Sequence, residues 1–522
     1  MKAEAQDTDA RPSMSAAAAS GSAWTTAQTV VNKFVTVFAM LLLARFLSPA
    51  EFGIANLAAS IGAFVFVFAP FVMGDVLLSR PERFDRIAGT ANAVAWGAGV
   101  LLFGLLASAA IPIERISGKE GLALLVFIAA LRPLADAVLV TPNSRMRIDL
   151  AYRRIAMIDG GVILASTVAG VVMAWLGAGP MSITLPPIAV LAVRGFFYWR
   201  AVKGRVPLGV DRGQVAPVAR AFAMAALGQY LNNVLLILEV LVLGWFASEA
   251  EIGLFGLAFQ LAIQANMVIA SQLGAVLQPI FGHIQDDPGR QVGGFLRATR
   301  LLSSVAVPLS LMQAALAVPA FAVLFEAKWT GSVAIFAALS VGQAFMFVSA
   351  PSIALLKAQG RFRAYFAWQA AQLVTAVTVF VLAVTRGGPL ATEAAAALGL
   401  PVEPEASRAL ALGIASALVW ALSCPVAVWL AGRPARLGVG RALAVFFEPW
   451  LVTVPVAAAL VGSWWLLRTI AGQWPADIAA IAVLGPVAVV ASIAGCVWMR
   501  ADTRADFQTI LAKFIRRRKP AT

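Results

Sequence analysis

Histidine is almost missing from this chain. His283 is the sole one in 522 residues, and cysteine occurs only as Cys424 and Cys496. Those two shortages leave no disulfide framework, no Cys/His zinc set and no Cys/His nucleophile, so no metal is expected. Glycine-rich phosphate loops of the nucleotide-hydrolysing type are absent as well, and no cofactor is expected. Charge is scarce, 13% of residues against about 25% in soluble proteins. The longest hydrophilic interval between apolar runs is the stretch from Arg386 to Arg408, far short of the 50 or more residues of a folded domain. A soluble catalytic domain has no room, and the acidic residues are too scattered for an active site, so the chain is not expected to be an enzyme.

What fills the sequence is apolar. Hydrophobic residues make up 61% and the mean hydropathy is +0.85, more apolar surface than a water-soluble fold hides. An all-α polytopic membrane protein follows. Runs of about 20 residues, each able to cross a hydrocarbon core of about 30 Å at 1.5 Å per residue, predict fourteen transmembrane helices. The spans are 23–47, 52–77, 88–112, 120–140, 155–178, 182–200, 219–247, 251–280, 299–325, 331–356, 364–386, 407–431, 442–470 and 475–499. Barrel strands would instead alternate over about ten residues. The net charge of +14 does not point to nucleic acid, because position explains it. With a cytoplasmic N-terminus, 30 of the 40 Lys and Arg fall in cytoplasmic segments and six in periplasmic ones, alternating loop by loop as the positive-inside rule requires. Both termini are therefore expected in the cytoplasm. Residues 1–22 read as a disordered leader to the first helix. Residues 500–522 read as a basic amphipathic tail, with Phe507, Ile510, Leu511, Phe514 and Ile515 ahead of Arg516, Arg517, Arg518 and Lys519, suited either to an anionic leaflet or to fixing topology alone.

The chain also repeats itself. Leu41 to Ala58 reads LLLARFLSPAEFGIANLA and Leu241 to Ala258 reads LVLGWFASEAEIGLFGLA, and ten of 27 positions from 32–58 match 232–258 without a gap, Ser48/Ser248, Glu51/Glu251 and Gly53/Gly253 among them. Duplication of a helical hairpin at a fixed offset is a mark of transporters built from two related bundles. The expected organisation is an N-lobe at 23–200, a cytoplasmic linker at 201–218, a C-lobe at 219–431, and two extra helices at 442–499: two parallel six-helix repeats around a central cavity.

Polar groups inside the spans mark candidate pathway positions, since a charge at a helix centre costs about 2.5–3.5 kcal/mol on insertion scales. Lys33 lies deep in the first span beside Thr29, Asn32 and Thr36. The matching stripe of the second half carries Gln229, Asn232, Asn233 and Glu239, and Glu239 is the candidate for ion or proton coupling. Arg132 is expected in the cytoplasmic half of the fourth span, with Asp136 one turn on as a possible neutralising partner. Arg45 can cap the first helix or form an outer anion collar. Gln260 and Gln264 share one face of the eighth span, toward a cavity or toward a neighbouring helix. For Arg194 the reading is snorkelling to the interface, and for Asp159 a solvated helix end.

On these residues a family resemblance can be drawn. LLLARFLSPAEFG, the segment PIFGHIQDDPGRQVGGFLRATRLLSSVAVPLS at 279–310 and LLKAQGRFRAY at 355–365 resemble Wzx-type polysaccharide and O-antigen flippases of the multidrug/oligosaccharidyl-lipid/polysaccharide exporter superfamily. Gly244-Trp245 stands where the first half has Ala44-Arg45, so an arginine role cannot be carried to both halves. The resemblance implies an undecaprenyl-pyrophosphate-linked oligosaccharide as cargo, moved by alternating access from the cytoplasmic to the periplasmic leaflet of a bacterial inner membrane. It further implies membrane lipids, a polysaccharide polymerase and export machinery as partners. Lys33, Arg132 and Arg45 would then meet the pyrophosphate, and the Thr, Asn and Gln side chains the sugars. Two alternatives stay open: a drug/cation antiporter of the same fold, which should show a carboxylate-rich cavity, and a polysaccharide polymerase or lipid-linked glycosyltransferase, which the repeat and the short loops disfavour.

Overall fold

The computed structural model describes residues 31–32, 34–66, 72–79, 81–264, 287–499 and 503–505. Among them no strand occurs, as expected where every backbone polar group must be paired inside lipid. In chain order the helices are α1 at Phe34–Phe46, α2 at Pro49–Phe66, α3 at Met73–Leu78, α4 at Phe84–Ser117, α5 at Leu122–Ala130, α6 at Arg132–Ile148, α7 at Tyr152–Trp175, α8 at Met181–Val202 and α9 at Arg212–Phe246. They continue with α10 at 249–264, α11 at Pro288–Ala315, α12 at Ala317–Leu324, α13 at Ser332–Ala358, α14 at Phe362–Arg386, α15 at Gly388–Ala397, α16 at Ser407–Gly432, α17 at Val439–Ala471, α18 at Gln473–Ala479 and α19 at Gly485–Trp498. Ten stretches among the described residues are long and apolar enough to span a membrane, α5–α6 and α18–α19 each forming one. The other four expected spans, 23–47, 52–77, 219–247 and 251–280, run through residues, or at 228–229 and 231–233 through side chains, outside the described set.

The chain divides into two compact units. One holds the described residues of Met1–Leu43 and Ile61–Tyr230, the other those of Ala44–Ser60 and Leu231–Thr522. In the first unit α4, α6 and α8 pack around Met73, Phe84 and Tyr198, all essentially buried. The 201–218 segment is fastened to this core: the N–H of Asp211 donates to Thr90 Oγ1 at 2.9 Å and the Thr90 hydroxyl donates back to the Asp211 carbonyl at 3.3 Å. In the second unit α13 is the central helix, flanked by α11 and α16, with Phe295, Val348, Tyr365 and Phe446 in the core.

Residues 44–60 cluster with the second compact unit. The reason lies in the two hairpin tips. Each is a capping box, in which a serine hydroxyl and a glutamate three residues later satisfy each other's free N–H groups at a helix start. Ser48 N–H and hydroxyl donate to Glu51 Oε2 at 2.8 and 2.9 Å, and Ser248 does the same to Glu251 at 3.1 and 3.3 Å. The tips then cross backbone to backbone. A Cβ on Gly53 would stand 1.8 Å from the Glu249 carbonyl oxygen, and one on Gly253 would stand 1.8 Å from that of Pro49. Two further donors from the second unit fasten the end of α1, where carbonyls lack helical partners: Trp329 Nε1 to the Ala44 carbonyl and Lys328 Nζ to that of Arg45, both at 2.8 Å. The first repeat's tip is therefore held by second-unit atoms.

Candidate functional site

In the first unit, the helix that carries Arg132 is interrupted at Leu131, because Pro133 supplies no N–H to the preceding turn. Past the break it runs to Ile148, so the span covers Leu122–Ile148. Arg132 and Asp136 therefore sit toward the middle of this 27-residue stretch. Arg132 Nε lies 3.7 Å from Asp136 Oδ2, with the arginine side chain half exposed and the aspartate 12% exposed. A second pair stands beside this one. Arg194 on α8 grips Asp159 on α7, with Nε 2.7 Å from Oδ1 and a terminal nitrogen donating to Oδ2 at 3.0 Å. The buried Tyr198 hydroxyl donates to Asp159 Oδ1 at 2.9 Å, and the guanidinium carbon lies 5.2 Å from the Tyr198 ring centre. Arg194 also acts electrostatically on Asp136.

The result is an alternating series, Arg132, Asp136, Arg194, Asp159, drawn from α6, α8 and α7. Its formal charges cancel, which is how such groups are tolerated at membrane depth. Arg194 thus turns to a neighbouring helix instead of snorkelling, and Asp159 is ion-paired instead of solvated. Sequence position alone gave no sign of this, because the partners are 35 residues apart and meet only when α7 and α8 fold into a hairpin. A cavity of about 390 Å³ opens beside the pair, lined by Asp159, Arg194, Ser166, Thr167 and apolar side chains.

In the second unit Glu239 is 2% exposed. The Ser416 hydroxyl on α16 donates to its carboxylate, and among the described residues no Lys or Arg pairs with it. Gln260 donates its amide to Asn56 Oδ1 at 3.0 Å while Asn56 donates to the Phe52 carbonyl at 3.0 Å, so Gln260 ties α10 to α2. Gln264 lies one turn further on, half-buried. Arg45 has an acidic neighbour. Its exposed guanidinium stands 3.9 Å from Glu326, which also pairs with Lys328 at 3.0 Å. Arg45 belongs to the second unit and Arg132 to the first.

The Thr36 hydroxyl bonds back to the Asn32 carbonyl at 2.8 Å. Lys33, Thr29 and His283 lie outside the described residues, as do the side chains of Gln229, Asn232 and Asn233 on α9. Cys424 and Cys496 are buried free thiols, and among the described residues no group of three His, Cys, Asp or Glu could hold a metal.

Comparison with known proteins agrees with the resemblance drawn from the motifs. A family model described as polysaccharide biosynthesis protein matches residues 42–334. The lipopolysaccharide biosynthesis protein WzxC of Escherichia coli (strain K12) is 24% identical over 387 residues, 73% of this chain and 77% of that protein. The succinoglycan biosynthesis transport protein ExoT of Rhizobium meliloti (strain 1021) is 26% identical over 349 residues, 64% and 67% of the two chains. Among solved structures, the lipid II flippase MurJ in an inward closed conformation superposes with a TM-score of 0.65 at 12% identity, covering 91% of this chain and 99% of its own. An inward-facing multidrug resistance transporter of the MOP superfamily gives 0.56 at 14%, covering 78% and 95%. The fold is thus that of these polytopic membrane transporters.

Proposed function

Because the chain belongs to the polysaccharide biosynthesis protein family, we propose that it is a flippase for an undecaprenyl-pyrophosphate-linked oligosaccharide, carried from the cytoplasmic to the periplasmic leaflet of a bacterial inner membrane. The observation that carries this reading is the alternating charge series of the first unit, with half-exposed Arg132 near mid-span. A pyrophosphate and a sugar head cannot cross hydrocarbon unaided. A guanidinium already neutralised by a carboxylate can exchange that partner for a phosphate without leaving a bare charge in the membrane. An incoming pyrophosphate would compete with Asp136 for Arg132, while Arg194 remains beside Asp136 to compensate it. The affinity gained is then a difference between two ion pairs, which favours release as well as capture.

In this reading Lys33 joins Arg132 at the pyrophosphate and Arg45 makes an outer contact. Thr29, Asn32, Thr36, Gln229, Asn232, Asn233 and Gln264 meet the sugars, with Gln260 partly engaged by Asn56. Glu239 has a hydroxyl partner and no cation among the described residues. It is therefore the group suited to take up a proton or a monovalent cation, and so to couple transport to an ion gradient by alternating access. The termini would face the cytoplasm, and a polysaccharide polymerase and export machinery would receive the cargo.

Purified protein in liposomes should move a lipid-linked oligosaccharide across the bilayer and leave its covalent structure unchanged. In cells, Lys33→Glu should abolish polysaccharide export at normal membrane abundance, while Lys33→Arg should keep part of it. Full export with Lys33→Glu would remove that residue from the pathway. Formation of a glycosidic bond by the purified chain would overturn the transport reading itself.

A further inference from the structure

The cavity between α7 and α8 has features that a structural ion pair does not require. Hydroxyls on membrane helices often bond back to a carbonyl three or four residues earlier, as they do here at Thr36, Ser144, Thr299, Thr378 and Thr453, while Ser340, Ser352 and Ser492 are buried without a partner. Ser166 and Thr167 do not bond back either. Neither side-chain hydroxyl makes a hydrogen bond among the described residues, and both line the cavity with Asp159 and Arg194. Asp159, Ser166 and Thr167 fall on one face of α7 at helical spacing, seven and eight residues apart.

Donor capacity is also left over. Arg194 donates to Asp159 through one terminal nitrogen, its Nε making an ion-pair contact without a hydrogen bond, although a guanidinium carries five N–H donors. The opposite wall is apolar, with Pro187 and Leu191. An acceptor and donor pair, two unengaged hydroxyls and an apolar wall in about 390 Å³ suit a small ligand that carries hydroxyls around its edge and C–H groups on its face. An acyl chain would waste the polar groups, and an inorganic anion would meet Asp159.

We propose that the α7–α8 cavity is a carbohydrate subsite that holds a sugar of the lipid-linked cargo through Ser166, Thr167 and the Asp159–Arg194 pair. This rests on the flippase reading above and adds to the polar side chains already assigned to the sugars a separate subsite between α7 and α8. Because the pair is held in place by Tyr198, the sugar meets groups already oriented, and the hydroxyls supply the selectivity.

Full-length protein in nanodiscs is titrated with two probes: lipid-linked oligosaccharide extracted from the producing cells, and bare undecaprenyl pyrophosphate. The variant is Ser166→Ala with Thr167→Val, which removes both hydroxyls at nearly constant volume; Thr167→Val alone serves if the double change lowers yield. The expected result is a loss of roughly tenfold in affinity for the glycosylated lipid, as two neutral hydrogen bonds give, with bare undecaprenyl pyrophosphate bound as in the wild type. Equal loss for both probes, or no loss for either, would overturn the subsite while leaving the flippase reading standing. A wild-type protein that binds the two lipids equally would instead sink the glycan cargo itself.

Discussion

Replacing Gly53 by alanine should damage this protein far more than one methyl group suggests. The new Cβ would stand 1.8 Å from the Glu249 carbonyl oxygen, 2.7 Å from the Gly253 nitrogen and 2.9 Å from the Glu249 carbonyl carbon. Ordinary C···O contact begins at about 3.3 Å, so the tips must part by about 1.5 Å. Every atom met is backbone, so no side chain can rotate away to relieve the clash. Parting the tips also disturbs the α1 end held by Trp329. Overpacking a core typically costs about 1–3 kcal/mol, and a contact with nothing flexible on either side belongs at the upper end, about 3 kcal/mol.

The contact is reciprocal, so Gly253→Ala should lose a similar amount, its Cβ falling 1.8 Å from the Pro49 carbonyl oxygen and 3.0 Å from the Gly53 nitrogen. One separation relieves both clashes, so the double variant should lose clearly less than the sum. Gly97→Ala, which meets nothing within 4 Å, is the control and should be neutral or slightly stabilising by helix propensity. The assay is thermal unfolding of detergent-purified protein with transport measured in parallel. A Gly53→Ala protein that melts and transports like the wild type would show that the tips do not meet in the way described.

Other consequences can be checked in the same preparations. Asp159→Asn should destabilise the first unit by about 1–3 kcal/mol, below the 3–5 kcal/mol typical of a fully buried broken pair because both partners are a quarter exposed; adding Arg194→Gln should restore part of the loss, and a double variant worse than the sum would argue against the pairing. Glu239→Gln should remove the dependence of transport on an ion gradient while leaving the fold intact, and unchanged gradient dependence would end its coupling role. Outside the spans, burial, and to a lesser degree the charge of Glu405, hold the Glu403 carboxyl above its usual range against a Gly331 N–H that favours ionisation. A raised carboxyl stabilises the fold below its unfolded value near 4.5 and loses that contribution as pH rises through its folded value. Glu403→Gln should therefore melt higher than the wild type at pH 8 and with little difference at pH 4; the reverse order would show that ionised Glu403 is the favoured form.

Much of the architecture was legible because it depends on local pattern. Apolar length gave the ten spans that the described residues show, and the repeated segments 41–58 and 241–258 marked two helical hairpins with a short polar turn. Arg132 with Asp136 was legible too, since four residues on a helix are neighbours by geometry. What escaped were contacts made between elements. Arg194 and Asp159 were each weighed by their own depth, and depth says nothing about which helix stands alongside. For the same reason the sequence left Gln260 open between a cavity and a neighbouring helix, where the structure sets Asn56 opposite it, and it named no partner for Arg45, which stands beside Glu326.

The tips show why some long-range contacts can still be read from a duplicated sequence. Where two copies of one hairpin cross with approximate twofold symmetry, each position near the axis meets its own counterpart, so whatever residue one copy carries there must fit against its repeat. Side chains of any size would collide in pairs, and only a residue without a Cβ lets two backbones come within contact at the same place. Gly53 and Gly253 occupy equivalent positions 200 residues apart and face each other's preceding carbonyls at equal distances. An identity preserved at glycine inside a repeat that otherwise diverges thus marks the crossing point. The flanking identities Ser48/Ser248 and Glu51/Glu251 serve a different end, since each box closes on itself and needs no symmetry. Asn56 and Gly256 show where that symmetry lapses: Asn56 fills the space against Gly256, its amide nitrogen 2.7 Å from where a Cβ on that glycine would stand, while bonding to Gln260. Putting a side chain at 256 would therefore disturb the α2–α10 tie directly, whereas shortening Asn56 to alanine would leave Gln260 without its partner and open a gap beside a glycine that cannot fill it.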